Sequence, residues 1–563
     1  MGVKEEPTMA DKPYDRALTR RQALRDMAAL GGWLTASSLA TAGQQSLSVP
    51  AAAAAAAGDQ LIVAVSATPV SLDPEFGASL ESWELPIFMY EFLTSYRFQK
   101  GSEGVGIPQF AAPLEPRLAE KWETSGNGKK ITFFLRKGVK SEYGHEFTAE
   151  DVKWSWTRAF TLNTAGTWMM KSSSVPNAEA IRVVQPYILE VNLSGPNALL
   201  PIVQATPLNN PVIYDSTEAK RHASQSDPWA KDWLGKNSAT FGPYKVTNFT
   251  PGQQVVFEVN PNYYREKPKI RQVIWREVPS SATRLQLLLA GSAHIVKELD
   301  SRERQQVQGR PGVQVISIRG NEGIIFGLNN KVKPLDNVKV RKAIAYASPV
   351  DEIIKTVYFG NPNVRLLKGF TPENYPAAIN YWPYYPTNLE KAKALLKEAG
   401  QGPFSFKLAQ NASRPEHEQV AIQIQTQLKK LDIDAQIEKL TPAKYQEQYF
   451  SRKAEAVLVQ DAAWVADPGY SLGLFFGTGS NSVANWVNYD NKEANALLEQ
   501  TLNTADAVKR RELGQKAHRI IVDDAPWGFY IGTGFYLTAR DNIAGLNWRP
   551  NNLINYAELS FKA

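Results

Sequence analysis

Two short segments place charged and aromatic residues where a folded protein could bind a small charged molecule. Residues 463–468 read AWVADP and follow a hydrophobic predicted strand, a position where α/β proteins present loops to a cleft. A buried ammonium group needs a paired carboxylate such as Asp467, and the face of Trp464 would add cation–π attraction. Arg414 follows another predicted strand, and its guanidinium can hold a carboxylate bidentately. The local sequence alone favours an Asp-Pro turn with a core tryptophan, and it also allows an exposed loop arginine.

Residues typical of catalytic or metal sites form no recognisable pattern. The five histidines are scattered without H-x-x-x-H or H-E-x-x-H spacing, and the chain has no G-x-S-x-G, P-loop or G-x-G-x-x-G motif. It has no cysteine, which excludes disulfides, thiolate metal sites, a cysteine nucleophile and a lipid anchor on an N-terminal cysteine. We therefore expect a protein that is not an enzyme and that uses no cofactor or metal.

Composition indicates an ordinary globular protein rather than a nucleic-acid-binding one. The chain has 563 residues, of which 43% are hydrophobic and 21% charged, enough for two or three domains. Its 63 basic and 56 acidic residues give a net charge of +7. The longest basic run, 509–511, is followed directly by Glu512, so we interpret it as solvated surface and not as part of a basic stripe.

Residues 1–57 differ from the rest of the chain and resemble a Tat-type export signal. Arg20 and Arg21 precede a short, weakly apolar run at 27–40, and alanines at 51–57 supply small residues for cleavage. The alternative is a cytoplasmic amphipathic helix followed by an alanine linker. The apolar run is too short to span a membrane, and no later segment has 18 uninterrupted apolar residues, so we expect a soluble mature protein.

The remaining sequence alternates predicted strands and helices. Residues 131–135 alternate in the period-2 pattern of a strand, and Thr148 with Asp151 has capping-box spacing, which predicts a helix from Ala149. Period and end signals predict further strands at 61–65, 181–183, 189–193, 255–259, 272–277, 404–409, 433–437 and 456–459. They predict further helices at 84–93, 281–289, 338–347, 389–400, 417–431, 493–504 and 507–522. This order indicates mixed α/β lobes.

Several longer motifs resemble one family. The segment 132–158 reads TFFLRKGVKSEYGHEFTAEDVKWSWTR, and its order resembles a signature of the extracellular solute-binding proteins of peptide-type ABC importers, the dipeptide, oligopeptide and nickel group (family 5 type). Other landmarks in the family's order are LDP at 72–74, YEFL at 90–93, PRLAEKW at 116–122, GPYKV at 242–246, VRKAIAYA at 340–347 and LEKAKALLKEAG at 389–400. The sequence departs from the family at 141–144, SEYG, and at 240–242, TFG.

The resemblance implies a periplasmic-binding-protein-like α/β fold of the larger class, with two mixed α/β lobes joined by a hinge and an additional inserted domain. We expect lobe I to comprise 58–95, 238–325 and the C-terminal part 536–563. The inserted domain would span 96–237, and lobe II would span 326–535.

The resemblance also implies roles for individual residues. In dipeptide- and oligopeptide-binding relatives, the residue matching Asp467 binds the ligand's α-ammonium and the residue matching Trp464 lines the pocket beside it. In dipeptide-type relatives, the residue matching Arg414 binds the ligand's α-carboxylate. The loop 77–83 lies where relatives contact ligand from the first lobe. Asp461 lies three residues before Trp464, where an acid could favour a cationic ligand or cap the end of the strand. The remaining candidate ligand-binding residues are therefore Ser79, Glu81, Trp83 and Asp461.

The function implied by the resemblance is that of a periplasmic solute-binding protein, without lipid anchor, that captures a short peptide by hinge closure. Its expected partners are the permease subunits of an ABC importer and, for export, the Tat translocon, and we expect a monomer that does not bind nucleic acid. ATP hydrolysis would occur on a separate subunit, consistent with the missing P-loop. The alternatives are the same fold binding an oligosaccharide, an opine, a nickel chelate or haem, and an exported hydrolase.

Overall fold

The fold is described from a computed structural model that covers residues 59–77, 80–101, 104–206, 211–373, 375–376, 378–478 and 484–562. The predicted export signal with Arg20 and Arg21 lies outside these residues, and so does Ser79. The longer strands form three sheets of seven, six and four strands, and helices cover these sheets. This mixed α/β architecture confirms the predicted fold class. Within the described ranges, no helix is long and apolar enough to cross a membrane.

A seven-stranded sheet, which we call the sheet of lobe I, gathers strands from distant parts of the chain. In spatial order its strands are Tyr244–Thr250, Gln254–Val259, Gln272–Glu277, Gln60–Val65, Ile295–Val296, Phe535–Arg540 and Val313–Ile318. Gln60–Val65 pairs in parallel with both neighbours, and the other pairs are antiparallel. Its core is aromatic, since the ring of Phe88 meets those of Phe257 and Tyr556 edge-on at 4.9 Å.

A six-stranded sheet forms lobe II. Its strands, in spatial order, are Arg365–Leu366, Trp527–Gly532, Glu322–Leu328, Ala456–Ala462, Phe404–Asn411 and Ile433–Leu440. Phe404–Asn411 runs parallel to both its neighbours, whereas Glu322–Leu328 is antiparallel to both of its own. The rings of Trp486 and Trp527 stack at 5.4 Å in its core.

A third unit is built on a four-stranded antiparallel sheet. Its strands, in spatial order, are Ala119–Ser125, Lys130–Leu135, Ile188–Asn192 and Ile181–Gln185. The predicted helix begins at Ala149, and the Thr148 amide donates to Asp151 Oδ2 at 2.8 Å, as the capping-box spacing predicts. Trp156 of this helix and Phe133 of the sheet are fully buried in one core. We call this unit the inserted unit.

The helices and short strands complete the three units. The helices are Leu80–Met89, Ala149–Leu162, Ala165–Ser172, Leu199–Gln204, Ser216–Arg221, Lys231–Leu234, Ser281–Leu289, Ser301–Val307, Val338–Ala347, Val350–Thr356, Leu389–Glu398, Pro415–Leu428, Pro442–Ser451, Pro468–Phe476, Lys492–Leu502 and Ala507–Asp523. Two-stranded pairs are formed by Thr94–Ser95 with Glu115–Pro116, Phe98–Lys100 with Gly106–Pro108, and Ile543–Ala544 with Ser560–Phe561.

The chain passes between the two large sheets at two adjacent crossings. Ile318 pairs with Phe535 in lobe I, and Gly323 pairs with Gly532 in lobe II, so 319–322 and 533–534 run side by side. Gly534 has φ of +81°, a conformation that a side chain would strain. Strand Glu322–Leu328 lies in the sheet of lobe II, so the first crossing precedes the border expected at 325; the domain borders themselves remain predictions.

Candidate functional site

Strand register brings Arg414, Asp461 and Trp464 to one edge of the sheet of lobe II. Phe404–Asn411 and Ala456–Ala462 are parallel, so the residues that follow them emerge at the same edge. Glu322 pairs with Ala462, which places this edge directly beside the first crossing between the lobes. The predicted site residues of lobe II therefore lie where the two lobes meet.

Trp464 meets lobe I through an apolar contact. It packs, together with Trp83, against the buried side chains of Ile87 and Leu553. The indole of Trp83 donates to the Gly77 carbonyl at 3.2 Å, which fixes the ring near the start of the helix Leu80–Met89. The structure thus brings two predicted ligand-site tryptophans together across the lobes. Their contact with a ligand remains a prediction.

Asp467 is already engaged within the protein. It is the N-cap of the helix Pro468–Phe476, and its Oδ1 accepts from the Tyr470 amide at 2.9 Å. Arg510 holds both carboxylate oxygens, with Nε at 2.6 Å from Oδ2 and Nη2 at 2.7 Å from Oδ1. The Asp467 side chain is only 4% exposed. Its charge is therefore balanced by Arg510, which gives Asp467 a structural role; its contact with a ligand's ammonium remains a prediction.

Arg510 was missed by sequence reasoning, which interpreted the basic run 509–511 as solvated surface. That interpretation is wrong for Arg510, which is buried and also donates through Nη1 to the Thr501 carbonyl at 2.7 Å. A signal did exist, because Arg510 shares a helical face with the buried residues Gly514, Ala517 and Ile521 at spacings of four, seven and eleven. The ion pair between Asp467 and Arg510 therefore links the segment 463–468 to the helix Ala507–Asp523.

Arg414 is exposed at the start of the helix Pro415–Leu428, where Pro415 takes the first helical position. Within the part of the chain that the structure describes, its guanidinium takes part in no hydrogen bond or ion pair. It is nevertheless close enough to Asp461 to lower that residue's pKa electrostatically. An unpaired guanidinium at the lobe interface is suited to bind a carboxylate.

Asp461 is a partly buried acid on the same edge. Its Oδ1 accepts from the Ala462 amide at 2.7 Å and its Oδ2 from the Tyr449 hydroxyl at 3.2 Å. No basic side chain of the described ranges forms an ion pair with it. Burial raises the pKa of Asp461 to about 7, and nearby Glu322 raises it further, against those two hydrogen bonds and the charge of Arg414.

Two buried polar side chains close to Arg414 in sequence lack partners within hydrogen-bonding geometry. Gln410 is fully buried, and neither its amide nitrogen nor its oxygen has a hydrogen-bond partner in the described protein. His417 is 2% exposed, and burial lowers its pKa to about 3, so the ring is neutral at physiological pH. Both ring nitrogens lie outside hydrogen-bonding geometry, although Gln460 is a neighbour. Buried polar groups normally find a partner, which here would be water or part of a ligand.

Glu81, a candidate from the first lobe, is buried among other charged side chains of lobe I. Glu81 is 2% exposed and interacts electrostatically with Lys297, whose ammonium pairs with Glu84 at 2.5 Å. Glu81 thus belongs to the polar interior of lobe I, and a ligand contact of its carboxylate remains a prediction.

Polar contacts also hold the lobes against each other. Glu416 Oε1 accepts from the Ser301 amide at 2.8 Å and lies 3.6 Å from Arg304 Nη2, both in lobe I. At the crossing, Asn321 Nδ2 donates to the Ala463 carbonyl at 2.9 Å. The inserted unit contacts lobe II as well, since the rings of Trp168 and Tyr470 are 5.5 Å apart. The structure therefore has its lobes in contact around the candidate site.

Comparisons with known proteins agree with this architecture. The model of the bacterial extracellular solute-binding proteins, family 5 (middle region), matches residues 113–483. A probable D,D-dipeptide-binding periplasmic protein of Escherichia coli (strain K12) is 25% identical over 508 residues, covering 89% of this chain and 94% of the relative. The heme-binding protein A of Haemophilus influenzae is 26% identical, with 76% of this chain and 79% of the relative covered.

A solved structure is similar in fold. It is that of an ABC-transporter-associated periplasmic binding protein from Helicobacter pylori in complex with the peptide STSA. The two chains are 24% identical, with a TM-score of 0.76 over 90% of this chain and 98% of the other. The match therefore extends over the three units described above.

Proposed function

This chain belongs to the bacterial extracellular solute-binding proteins of family 5, and from that premise we propose that it captures a short, dipeptide-like zwitterion for an ABC importer. The family consists of solute-binding proteins rather than enzymes. The proposed partners are therefore the ligand and the permease subunits in the membrane, with no reaction on this chain and no resident cofactor. The D,D-dipeptide-binding relative and the peptide-bound structure of similar fold support a peptide ligand.

The observation that carries this proposal is the unpaired guanidinium of Arg414. It lies at the edge of lobe II beside the crossings, where the strand that precedes it runs parallel to the strand that carries Asp461. A ligand carboxylate would complete the hydrogen bonds of Arg414 in a fixed orientation, so a peptide's C-terminus is a natural occupant. Recognition through the two charged end groups would let the protein bind short peptides with little dependence on their side chains.

Capture would proceed by hinge closure. Only 319–322 and 533–534 link the two large sheets covalently, so rotation at these segments can part the lobes without unfolding either. The packing of Trp464 against Ile87 and Leu553, and the contacts of Glu416 with Ser301 and Arg304, would be made on closing. A ligand that binds both lobes shifts the population toward the closed form, which the permease would recognise.

Replacing Arg414 with glutamine should weaken binding of L-alanyl-L-alanine by about 30-fold or more, because the charged partner of a desolvated carboxylate typically contributes at least about 2 kcal/mol. Isothermal titration calorimetry on protein refolded to remove bound solute measures the dissociation constants. Arg511→Gln, an exposed arginine of the same lobe, is the matched control and should bind as the unaltered protein does.

The C-terminal amide of the same dipeptide lacks the carboxylate, so it separates the contribution of the carboxylate–Arg414 contact from that of the rest of the ligand. It should bind the unaltered protein weakly and be insensitive to Arg414→Gln. Equal affinities of both variants for the free dipeptide would contradict the role of Arg414. Binding of haem, an opine, an oligosaccharide or a nickel chelate in place of every peptide would favour a non-peptide solute in the same cleft, to which the heme-binding relative draws attention.

We also propose that the protein is exported to the periplasm, without a lipid anchor, by the twin-arginine route and acts as a monomer. The Arg20-Arg21 pair before a weakly apolar run supports the route, and the D,D-dipeptide-binding relative, a periplasmic protein, supports the compartment. Changing both arginines to lysine should retain the full-length precursor in the cytoplasm, as measured by cell fractionation and immunoblotting. Replacement of Lys4 and Lys12 by arginine should leave export unchanged, and normal export of the twin-lysine variant would refute the route.

A further inference from the structure

We propose that Asp461, and not Asp467, is the acceptor of the ligand's ammonium group, so that ligand capture is linked to ionisation of Asp461. This inference rests on the proposed capture of a zwitterion and adds the residue that selects its cationic end. It also predicts how binding depends on pH.

Asp467 lacks the free charge that an ammonium needs. Arg510 engages both of its oxygens at 2.6 and 2.7 Å, and the Tyr470 amide uses a further acceptor position at 2.9 Å. Arg510 is itself enclosed, since it donates to three main-chain carbonyls besides. Adding a ligand ammonium would put two cations on one carboxylate, whose attraction for the second is correspondingly weak.

Asp461 has the properties that Asp467 lacks. Its oxygens accept one hydrogen bond each from neutral donors, Ala462 N and Tyr449 Oη, and no ion pair neutralises it among the described residues. It comes three residues before Trp464 at the edge where Arg414 also emerges. Asp461 and Arg414 interact electrostatically yet do not form an ion pair. A zwitterion that binds both residues would place its ammonium at Asp461 and its carboxylate at Arg414.

Partial burial makes this carboxylate responsive near neutral pH. Burial raises the pKa of Asp461 to about 7, so part of the population is protonated in the ligand-free protein at pH 7. An ammonium favours the ionised form, so binding at pH below 7 must expel the proton, and affinity falls as the pH is lowered. As the pH rises past 7 the carboxylate becomes increasingly ionised and this dependence fades, while the peptide's own ammonium, with a pKa of about 7.7–8.0, begins to deprotonate.

The surroundings of Asp461 allow this ionisation to be isolated. The charged and titratable groups that interact with it from neighbouring elements are Glu322, Arg414, Tyr445, Tyr449, Tyr470 and Tyr530. Burial raises the pKa of each of these tyrosines, and arginine stays protonated, so neither type changes charge between pH 5.5 and 7.5. The charge of Glu322 is common to the protein and to an Asp461→Asn variant.

The test is calorimetric titration of L-alanyl-L-alanine between pH 5.5 and 7.5. Affinity of the unaltered protein should fall about 25-fold across this range, and at pH 6.5 binding should release about 0.8 proton, read from buffers of different ionisation enthalpy. Asp461→Asn should bind weakly at pH 7.5, with little pH dependence and no proton release. Asp434→Asn, an exposed aspartate on the strand Ile433–Leu440, is the control and should behave as the unaltered protein.

The outcomes distinguish this inference from the proposed function. Tight, pH-independent binding that Asp461→Asn leaves intact would overturn the role of Asp461 while the peptide function stands. Loss of binding in Asp467→Asn, with Asp461→Asn unaffected, would return the ammonium contact to Asp467. If no peptide with a free ammonium binds the unaltered protein, both proposals fail together. Because asparagine has the shape of aspartate and removes a buried charge, the variant should fold, which thermal unfolding checks directly.

Discussion

Arg510→Met should lower the free energy of unfolding by about 3–5 kcal/mol, because it leaves the carboxylate of Asp467 buried without its counter-ion. Methionine fills much of the same volume, so the loss would come from the unpaired charge and from the carbonyls of Thr501, Leu502 and Thr504 that Arg510 now satisfies. Urea unfolding followed by tryptophan fluorescence measures the change.

Arg511 provides the matched control for this prediction. It is the next residue of the same helix but is exposed, so Arg511→Met should change stability by no more than about 0.5 kcal/mol. Equal stability of the two variants would mean that the Asp467–Arg510 pair adds nothing. Asp467→Asn should likewise destabilise the protein, yet bind L-alanyl-L-alanine with nearly unchanged affinity when it is folded. A variant with the opposite behaviour, stable but unable to bind, would restore the ligand role of Asp467.

The regular elements with strong periodicity could be predicted from sequence. Gln272–Glu277, Ser281–Leu289 and Val338–Ala347 have the predicted bounds, because pattern and end signals agree there. The strand Tyr244–Thr250 and the helix Pro468–Phe476 were not predicted. All nine residues of that helix are buried, so it has no polar face to show a period, and two glycines weaken its propensity. Packing on all sides stabilises this helix.

The candidate site was predictable in position but not in electrostatics. Strand ends identify the edge on which Arg414, Asp461 and Trp464 lie, since residues after parallel strands share one edge. Which aspartate carries a free charge depends on Arg510, which is 43 residues from Asp467 along the chain. The Asp-Pro sequence fits a ligand contact and a helix cap equally well, and only the tertiary pairing distinguishes them.

A second buried arginine joins two parts of the fold that share no sheet. Arg158, on the helix Ala149–Leu162 of the inserted unit, is fully buried and pairs with Asp73 of the LDP segment. Its Nη1 lies 3.8 Å from Glu75 Oε2, and the Tyr214 hydroxyl donates to Asp73 Oδ1 at 2.7 Å. Burial raises the pKa of Glu75 to about 8, Arg158 opposes this and Asp73 adds to it. Two carboxyl groups therefore depend on one guanidinium.

Arg158→Met should destabilise the protein by about 3–5 kcal/mol at pH 8, since Asp73 and Glu75 would share a buried site without a cation. The loss should be smaller at pH 5. Without Arg158 the folded-state pKa of Glu75 rises further above its unfolded value, and such a group favours the folded state at low pH and loses that contribution as the pH rises. Urea unfolding at both pH values measures the difference.

Arg182→Met removes an exposed arginine of the same unit, paired with Glu190 at 3.2 Å, and should shift stability little at either pH. A loss for Arg158→Met that is small, or that grows toward acid pH, would show that this arginine is not what keeps the two carboxyl groups buried.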